Sequence, residues 1–362
     1  MAAPRKTPLT LLVGLSTTLR DPVLAAMTAD GTVDAATVAV VVDQDQLQRL
    51  GVLSWRVFDA SGPIDAGEFT VGDDCGACGL IESLLPLLET LIAREHWQHV
   101  VLAAPPAMEA RPLASTLVAM LPEVQVDTVT CVVDAVLLVE QLSGDELLAE
   151  RGLALGLPDR RNVAELTARQ IEYSDVCVLA NAHRSAAPER LHNLLLHLNP
   201  RTTVVNADPA GVPTGPVART GLFDFAAAEA WAGELAAEDR LQPSGDGVTT
   251  VLWRSTRPLH PSRLNDALED IVNGVVRSRG VVWLANRPTQ RVRWESAGYS
   301  ASLGMLGEWS DTNHLAECTV VATGVGLDPA RLQSILDACL LTESELATLD
   351  WQALDDPFAG VF

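Results

Sequence analysis

Short apolar runs alternate with amphipathic stretches over the first two thirds of the chain. Strands that alternate with helices of about 10–15 residues are typical of a parallel sheet covered on both faces, so we predict an α/β domain with a mostly parallel sheet. The predicted strands are 9–15, 37–43, 53–58, 99–104, 127–133, 176–181 and 203–206, and the predicted helices are 19–27, 80–94, 112–121, 162–173 and 188–198.

The last third of the chain has a different order of elements. Residues 237–247 are polar and contain Pro and Gly, so we place a linker at 237–248, between a domain over 1–236 and a second over 249–362. The second domain is predicted to be a compact α+β unit. Its predicted elements are a strand at 249–254, a helix at 261–273, strands at 275–285 and 291–295, a glycine-rich meander up to 309, a strand at 319–323 and a helix at 328–341.

The net charge of the chain and the lengths of its apolar runs limit the classes of function that we expect. The chain has 25 Lys and Arg against 47 Asp and Glu, for a formal net charge of −22. A polyanion repels phosphate backbones, so we expect no direct, extended binding of nucleic acid. No apolar run reaches the length of a membrane span, and the first is too short for a signal peptide. We therefore predict a cytoplasmic protein with no membrane contact.

A Cys-x-x-Cys pair, Cys75 and Cys78, stands between glycines ahead of a predicted helix. Two thiolates at this spacing can bind one soft metal ion such as zinc, although the same spacing serves redox dithiols or two ordinary buried cysteines. There is no second Cys-x-x-Cys, so other ligands would have to complete a zinc site. Asp73 and Asp74 are candidates, with hydrated surface acids as the alternative. The other cysteines are predicted to be core thiols: Cys131, Cys177, Cys318 and Cys339.

The turn after the first predicted strand is where a phosphate-binding loop would lie. Such a loop needs a second glycine and a lysine that reaches the phosphates. Gly14, Thr17 and Thr18 look like remnants of one, but the single lysine, Lys6, precedes the strand. Arg20 is judged to lie too far along the chain and to have the wrong geometry to replace it. We therefore expect no efficient GTP hydrolysis.

The sequence also lacks part of the motif that recognises a guanine base. A guanine site would read Asn-Lys-x-Asp after a strand, whereas this chain reads Asn-Ala-His-Arg from Asn181. The strand at 99–104 runs into Ala-Ala-Pro-Pro, without an acid to position magnesium or water. Gly14, Thr17, Thr18 and Asn181 are thus predicted to form a vestigial nucleotide site. GTP is a doubtful cofactor, and weak nucleotide binding stays open.

Taken in order, the motifs resemble the CobW-type metal-chaperone GTPases along most of the chain. The resemblance implies a P-loop-GTPase-like α/β domain followed by a smaller CobW-C-like α+β domain. The family's metal motif is Cys-x-Cys-Cys, and Ala77 here takes its middle cysteine position, which leaves Cys75 and Cys78 as the implied zinc ligands. The matching segments are 14–19, 75–78, 128–135, 168–175, 198–200 and 253–309.

Within that family, three further runs resemble an actinobacterial branch without a working phosphate loop: 279–288, 340–346 and 355–358. That branch includes a protein that helps a ribosome hibernation factor to dock on the ribosome when zinc is scarce. The implied partners are a ribosome hibernation-promoting factor and, through it, the small subunit of the 70S ribosome. An acidic surface suits such a basic protein partner.

Three hypotheses follow for the function. The favoured one is a zinc-responsive adaptor that recruits a ribosome hibernation factor without efficient GTP hydrolysis. The second is a zinc chaperone GTPase with an atypical loop, against which the missing lysine argues. The third is a structural paralogue with inert cysteines, against which the retained Cys-x-x-Cys argues.

Overall fold

The structure is a computed structural model, and it describes residues 6–29, 36–70, 76–94, 97–156, 159–233, 241–311 and 315–360. The chain divides into two compact units. The first comprises Met1–Leu138 and Glu146–Ala232, and the second comprises Val139–Asp145 and Gly233–Phe362. Residues 237–240 of the predicted linker lie outside the described residues.

An eight-stranded sheet forms the frame of the first unit. Its strands are β1 (Thr7–Val13), β2 (Thr37–Asp43), β3 (Val52–Asp59), β4 (Gly62–Thr70), β5 (His99–Ala103), β6 (Val124–Asp134), β7 (Val176–Ala180) and β8 (Thr203–Asn206). Their order across the sheet is β4-β3-β2-β5-β1-β6-β7-β8. The helices in this part of the chain are α1 (Thr17–Ala29), α2 (Leu47–Leu50), α3 (Gly76–Ile92), α4 (Ala110–Met120), α5 (Leu138–Ser143), α6 (Val163–Glu172), α7 (Pro188–Leu198) and α8 (Phe225–Gly233).

Six strands, from β2 through β5, β1, β6 and β7 to β8, run parallel to one another. Every residue of β5 and of β7 is buried, which means that both faces of the sheet are covered there. On one face, Val23, Leu24 and Met27 of α1 pack with Leu12 and Val101. Full burial of each such side chain contributes about 1.5–3 kcal/mol. The predicted mostly parallel α/β sheet is confirmed.

An antiparallel hairpin of β3 and β4 forms one edge of this sheet, and the sequence pattern does not predict β4. Most of β4 is exposed, so its residues carry no buried alternation. The indole of Trp55 stacks on Phe69 with ring centroids 5.9 Å apart. It also covers Gly67, where an added Cβ would lie 2.5 Å from the Trp55 ring. The strand is therefore held by an aromatic contact across a glycine, which a periodicity argument overlooks.

The second unit contains a five-stranded antiparallel sheet in the order β12-β11-β10-β13-β9. This agrees with the expected smaller α+β unit. Its strands are β9 (Val248–Ser255), β10 (Arg277–Val282), β11 (Gln290–Ala297), β12 (Ser300–Glu308) and β13 (Cys318–Val325). Its helices are α9 (Pro261–Asp266), α10 (Leu268–Val272), α11 (Pro329–Ala338) and α12 (Glu343–Thr348).

The core of the second unit forms around Trp294, which packs with Trp253 and Val320. Its indole N–H donates to Ser278 Oγ at 2.7 Å, so the polar end of the ring is satisfied inside the core. The sequence prediction does not include the helix α12, and the structure differs from it in two further places. The predicted meander contains the strand β12, and the predicted helix 261–273 is interrupted at Ala267.

Within the part of the chain that the structure describes, no helix is both long and apolar enough to cross a membrane.

Candidate functional site

The carboxyl edge of the parallel sheet carries the predicted nucleotide residues. Gly14 follows β1 directly and has φ +141°, a conformation that side chains rarely adopt. An added Cβ there would lie 2.5 Å from the carbonyl oxygen of Val132 in β6. The backbone packing of β1 against β6 is therefore sufficient reason for a glycine at this position. A bound phosphate is not needed to explain it.

The first turn of α1 follows Gly14. Thr17 is half-buried at the first position of the helix and Thr18 is exposed. The hydroxyl of Ser16 accepts a hydrogen bond from the Leu19 N–H at 3.3 Å. The first turn thus satisfies one of its own N–H groups with a neighbouring side chain, as helix ends commonly do.

The judgement that Arg20 lies too far along the chain is wrong. In the pattern Gly-x-x-x-x-Gly-Lys counted from Gly14, Leu19 takes the place of the second glycine and Arg20 that of the lysine. The Arg20 side chain is only 3% exposed. One of its terminal nitrogens donates to the backbone carbonyl of Ala104, just beyond β5. The guanidinium is thus bound to the protein's own backbone.

Burial of Arg20 also changes its electrostatics. Desolvation lowers the pKa of the guanidinium to about 10, against the opposing effect of Asp21 and Asp43. No carboxylate forms an ion pair with it among the described residues, and its Nε has no hydrogen-bond partner there. A phosphate-binding side chain has to present its charge to the ligand. Arg20 is instead buried against the protein, so this loop does not fit the phosphates of GTP.

The fourth predicted residue, Asn181, follows β7 in a left-handed conformation with φ +57°. Its side-chain amide donates to Asp134 Oδ1 at 3.1 Å, at the end of the neighbouring strand β6. The same oxygen accepts from the Val136 N–H at 3.0 Å. The amide that would recognise a base is therefore bonded inside the protein. Gly14 and Asn181 lie on the same edge of the sheet, separated by β6.

Of the two predicted zinc ligands, Cys75 and Cys78, the structure describes the backbone of one. Cys75 lies outside the described residues, while Cys78 belongs to the first turn of α3, which begins at Gly76. A helix N-terminus favours the negatively charged thiolate over the thiol. Among the described residues, no group of three or more His, Cys, Asp or Glu is placed to hold a metal ion. Zinc ligation by the two cysteines stays a prediction.

The other four cysteines are buried and free, which confirms that they are core thiols. Burial raises the pKa of the Cys318 thiol to about 12 and that of Cys339 to about 11. Burial also raises the pKa values of Cys131 and Cys177, which face each other on β6 and β7. Metal binding requires the thiolate. These four residues are therefore poor zinc ligands.

Comparison with known protein families finds a match in the second unit. Residues 248–340 match the family model described as the cobalamin synthesis protein cobW C-terminal domain. The second unit carries a CobW C-terminal domain. The matched segment begins at the first residue of β9 and extends past α11, so it includes the whole five-stranded sheet.

Two proteins with similar sequences have names that refer to zinc. The chain is 29% identical over 339 residues to a zinc chaperone of Mycobacterium tuberculosis, covering 81% of this chain and 79% of that protein. It is 25% identical over 256 residues to the zinc-regulated GTPase metalloprotein activator 1 of Dictyostelium discoideum, covering 66% of this chain and 54% of that protein. The chain is thus homologous to one protein described as a zinc chaperone and to one described as a zinc-regulated GTPase metalloprotein activator.

Among solved structures, the crystal structure of the Zn(II)-bound YjiA GTPase from E. coli is similar at 16% identity. The similarity covers 93% of this chain and all of that one, with a TM-score of 0.39.

Proposed function

We propose that this protein binds zinc through Cys75 and Cys78 and carries it as a zinc chaperone does, without hydrolysing GTP. The observation that carries the proposal is the position of Cys78, the second cysteine of the Cys-x-x-Cys, in the first turn of α3, in a chain homologous to a zinc chaperone. The positive end of the helix dipole lowers the pKa of a nearby thiol, which favours the metal-binding form.

Two thiolates are a partial ligand set. A closed structural zinc site takes four protein ligands, whereas a site with fewer leaves positions for exchangeable donors. Zinc at Cys75 and Cys78 would therefore remain accessible to a receiving protein or to competing ligands, as suits a carrier or a sensor. The zinc ion is the cargo here, and the buried Arg20 argues against nucleotide hydrolysis as the step that releases it.

The test is a double substitution, Cys75→Ser with Cys78→Ser. The purified wild-type chain is expected to bind one zinc ion, and the double variant none, because serine hydroxyls do not replace thiolates at neutral pH. Metal content is measured by mass spectrometry after equilibrium dialysis against zinc. Cys339→Ala is the matched control, since that thiol is buried in the second unit, and it should bind zinc as the wild type does. An unchanged zinc content in the double variant contradicts the proposal.

A second candidate function is a zinc-responsive adaptor that recruits a ribosome hibernation-promoting factor to the 70S ribosome. The net charge of −22 supports it, because such a surface attracts a basic partner protein. The buried Arg20 supports it as well, because a chain that does not process nucleotide acts through what it binds.

Affinity capture from the native cytosol, with and without a zinc chelator, separates the two candidates. The adaptor function predicts that a hibernation factor and ribosomal proteins are enriched under chelation. The chaperone function predicts recovery of an apo-metalloprotein that accepts zinc from the loaded chain. Mass spectrometry identifies the captured proteins in both arms.

A further inference from the structure

The strand β12 is an unprotected edge of the five-stranded sheet. It is nine residues long, and in the described part of the chain it pairs only with β11. Natural proteins usually protect such edges with charged residues or proline. Residues 300–307 contain neither; the strand ends at a charged residue, Glu308, and its pairing with β11 shifts register between Arg291 and Val292. The N–H of Glu308 donates to Asp311 Oδ2 at 2.9 Å, so the uncharged segment before it, 300–307, is the part of β12 that could pair with a further strand.

One face of this edge is apolar. Leu303 lies opposite Trp294 and packs partly against the core of the second unit. Met305, two residues along on the same face, has 43% of its surface exposed. A strand added beside β12 would cover Met305 with its own side chains on that face. Alternate apolar residues in the incoming segment would therefore be stabilised.

The other face of the edge carries a reachable positive charge. Arg293 of β11 lies directly opposite Gly304 of β12. Gly304 has no side chain, and an added Cβ there would meet nothing within 4 Å. The Arg293 side chain is 46% exposed, and its one ion pair among the described residues is a long one, 3.8 Å to Glu295 Oε1 on the same strand. Strands in a sheet lie about 4.8 Å apart, so an added strand would lie about 10 Å from β11. An arginine that extends over a glycine and an acidic side chain on the added strand together span that distance.

Positive charge dominates this face of the sheet beyond Arg293. Cross-strand register places Arg279 opposite Glu295, with Arg277 two residues away on the same face, where it is buried and ion-paired with Glu295 at 3.5 Å. Arg254 lies on the same face at the far edge of the sheet, in β9. The three rows that cross the sheet on this face thus hold four arginines and one glutamate, in a chain whose net charge is −22. Such a local reversal of sign favours an acidic ligand.

We propose that β12 is a docking site where an extended, acidic segment of a partner protein adds as a sixth antiparallel or parallel strand. Its carboxylates face Arg293, its alternate apolar residues face Met305, and its backbone bonds to the outer edge of β12. This inference does not depend on zinc binding. A second copy of this chain fits less well, because pairing two β12 strands would place two positively charged sheet faces side by side.

The test measures binding of three fluorescein-labelled peptides of equal length to the full chain by fluorescence anisotropy. The first alternates Glu and Val, the second alternates Lys and Val, and the third is the first with proline at every fourth position. Only the first is expected to bind saturably, at least tenfold more tightly than the other two. The Lys peptide tests the charge, and the proline peptide tests strand formation. Absence of saturable binding by the Glu peptide overturns the proposal.

Two charge reversals locate the site. Arg293→Glu is expected to weaken binding of the Glu peptide at least tenfold, whereas Arg254→Glu, at the opposite edge of the sheet, should change it less than twofold. Equal losses in the two variants would mean that the whole face attracts anions, and they overturn the docking site. So does a concentration-dependent dimer, seen by light scattering, that the peptide dissociates. Circular dichroism checks the fold, and Arg293→Gln replaces Arg293→Glu if the latter is unfolded.

Discussion

Gly14→Ala is expected to destabilise the first unit by about 4 kcal/mol. Two effects add to give this value. At φ +141° an alanine is strained, and its Cβ would lie 2.5 Å from the Val132 carbonyl oxygen. That oxygen belongs to the backbone of β6, so relief would require β1 and β6 to move apart in the centre of the sheet. Urea denaturation followed by circular dichroism measures the change in the free energy of unfolding.

Gly62→Ala is the matched control for this prediction. Gly62 has φ +130°, similar to that of Gly14, but an added Cβ would meet nothing within 4 Å. Its substitution therefore measures backbone strain alone, expected at about 1–2 kcal/mol. Equal losses in the two variants would show that contact with Val132 contributes nothing. A larger loss at Gly14 supports a packing role for the glycine that the phosphate-loop pattern would otherwise explain.

Acidification is expected to reduce stability through His99. This residue is fully buried in β5, with Nε2 2.9 Å from Thr10 Oγ1. Burial, together with the charge of Arg219, lowers the pKa of its imidazole to about 4. The unfolded chain takes up the proton near pH 6.5, before the folded chain does. The stabilisation is therefore complete above pH 6.5 and is lost as pH falls, by about 3 kcal/mol at pH 4.

The carboxyl of Asp175 has the opposite effect on folding stability over the same range of pH. Desolvation raises the pKa of its carboxyl to about 6, with smaller contributions from Asp127 and Asp224, and against the effect of Arg201 and of the Val129 N–H. A raised pKa in the folded state means that stability increases as pH falls through 6 towards the unfolded value near 3.9. The gain is up to about 3 kcal/mol, so it offsets most of the loss at His99.

Single variants should separate the two opposing effects. Asp175→Asn removes the gain in stability that comes from protonating this carboxyl, so the stability of the variant should fall more steeply than that of the wild type between pH 7 and pH 4. His99→Gln removes the loss in stability that comes from protonating the imidazole, so the stability of that variant should rise over the same interval. Urea unfolding at several pH values gives both slopes. Parallel profiles for all three chains would contradict the assignment, and NMR titration of the His99 ring checks its pKa directly in the wild type.

Strands that are buried on both faces could be predicted from the sequence, whereas exposed or glycine-rich strands could not. The strands β5 and β7 are apolar at every position because both faces of the sheet are covered, and such runs are visible in a sequence. β4 and β12 were not visible as strands. β4 is mostly exposed, and the glycines of β12 interrupt its pattern. Their pairing depends on partners in the neighbouring strand, such as Trp55 over Gly67, which local periodicity does not encode.

The candidate site was predictable in position but not in chemistry. Gly14 and Asn181 lie at the carboxyl edge of the sheet, where ligands of α/β folds bind. The sequence did not indicate that Arg20 is bonded to Ala104, because that contact joins residues 84 positions apart. Nor did it indicate that the Asn181 amide is bonded to Asp134. Tertiary contacts determine whether a motif residue faces a ligand or the protein itself.

The burial of Arg20 has a consequence for the lifetime of the protein. A ligand that binds only the folded state stabilises it in proportion to the logarithm of its concentration. A GTPase with a working phosphate loop is therefore stabilised by the cell's nucleotide pool. Here the side chain at the lysine position is bonded to the protein's own backbone, so we expect GTP to add little to the stability of the fold. If the chain binds zinc as proposed, the zinc supply would instead set how much of the protein survives proteolysis, and scarcity of the metal would shorten its half-life.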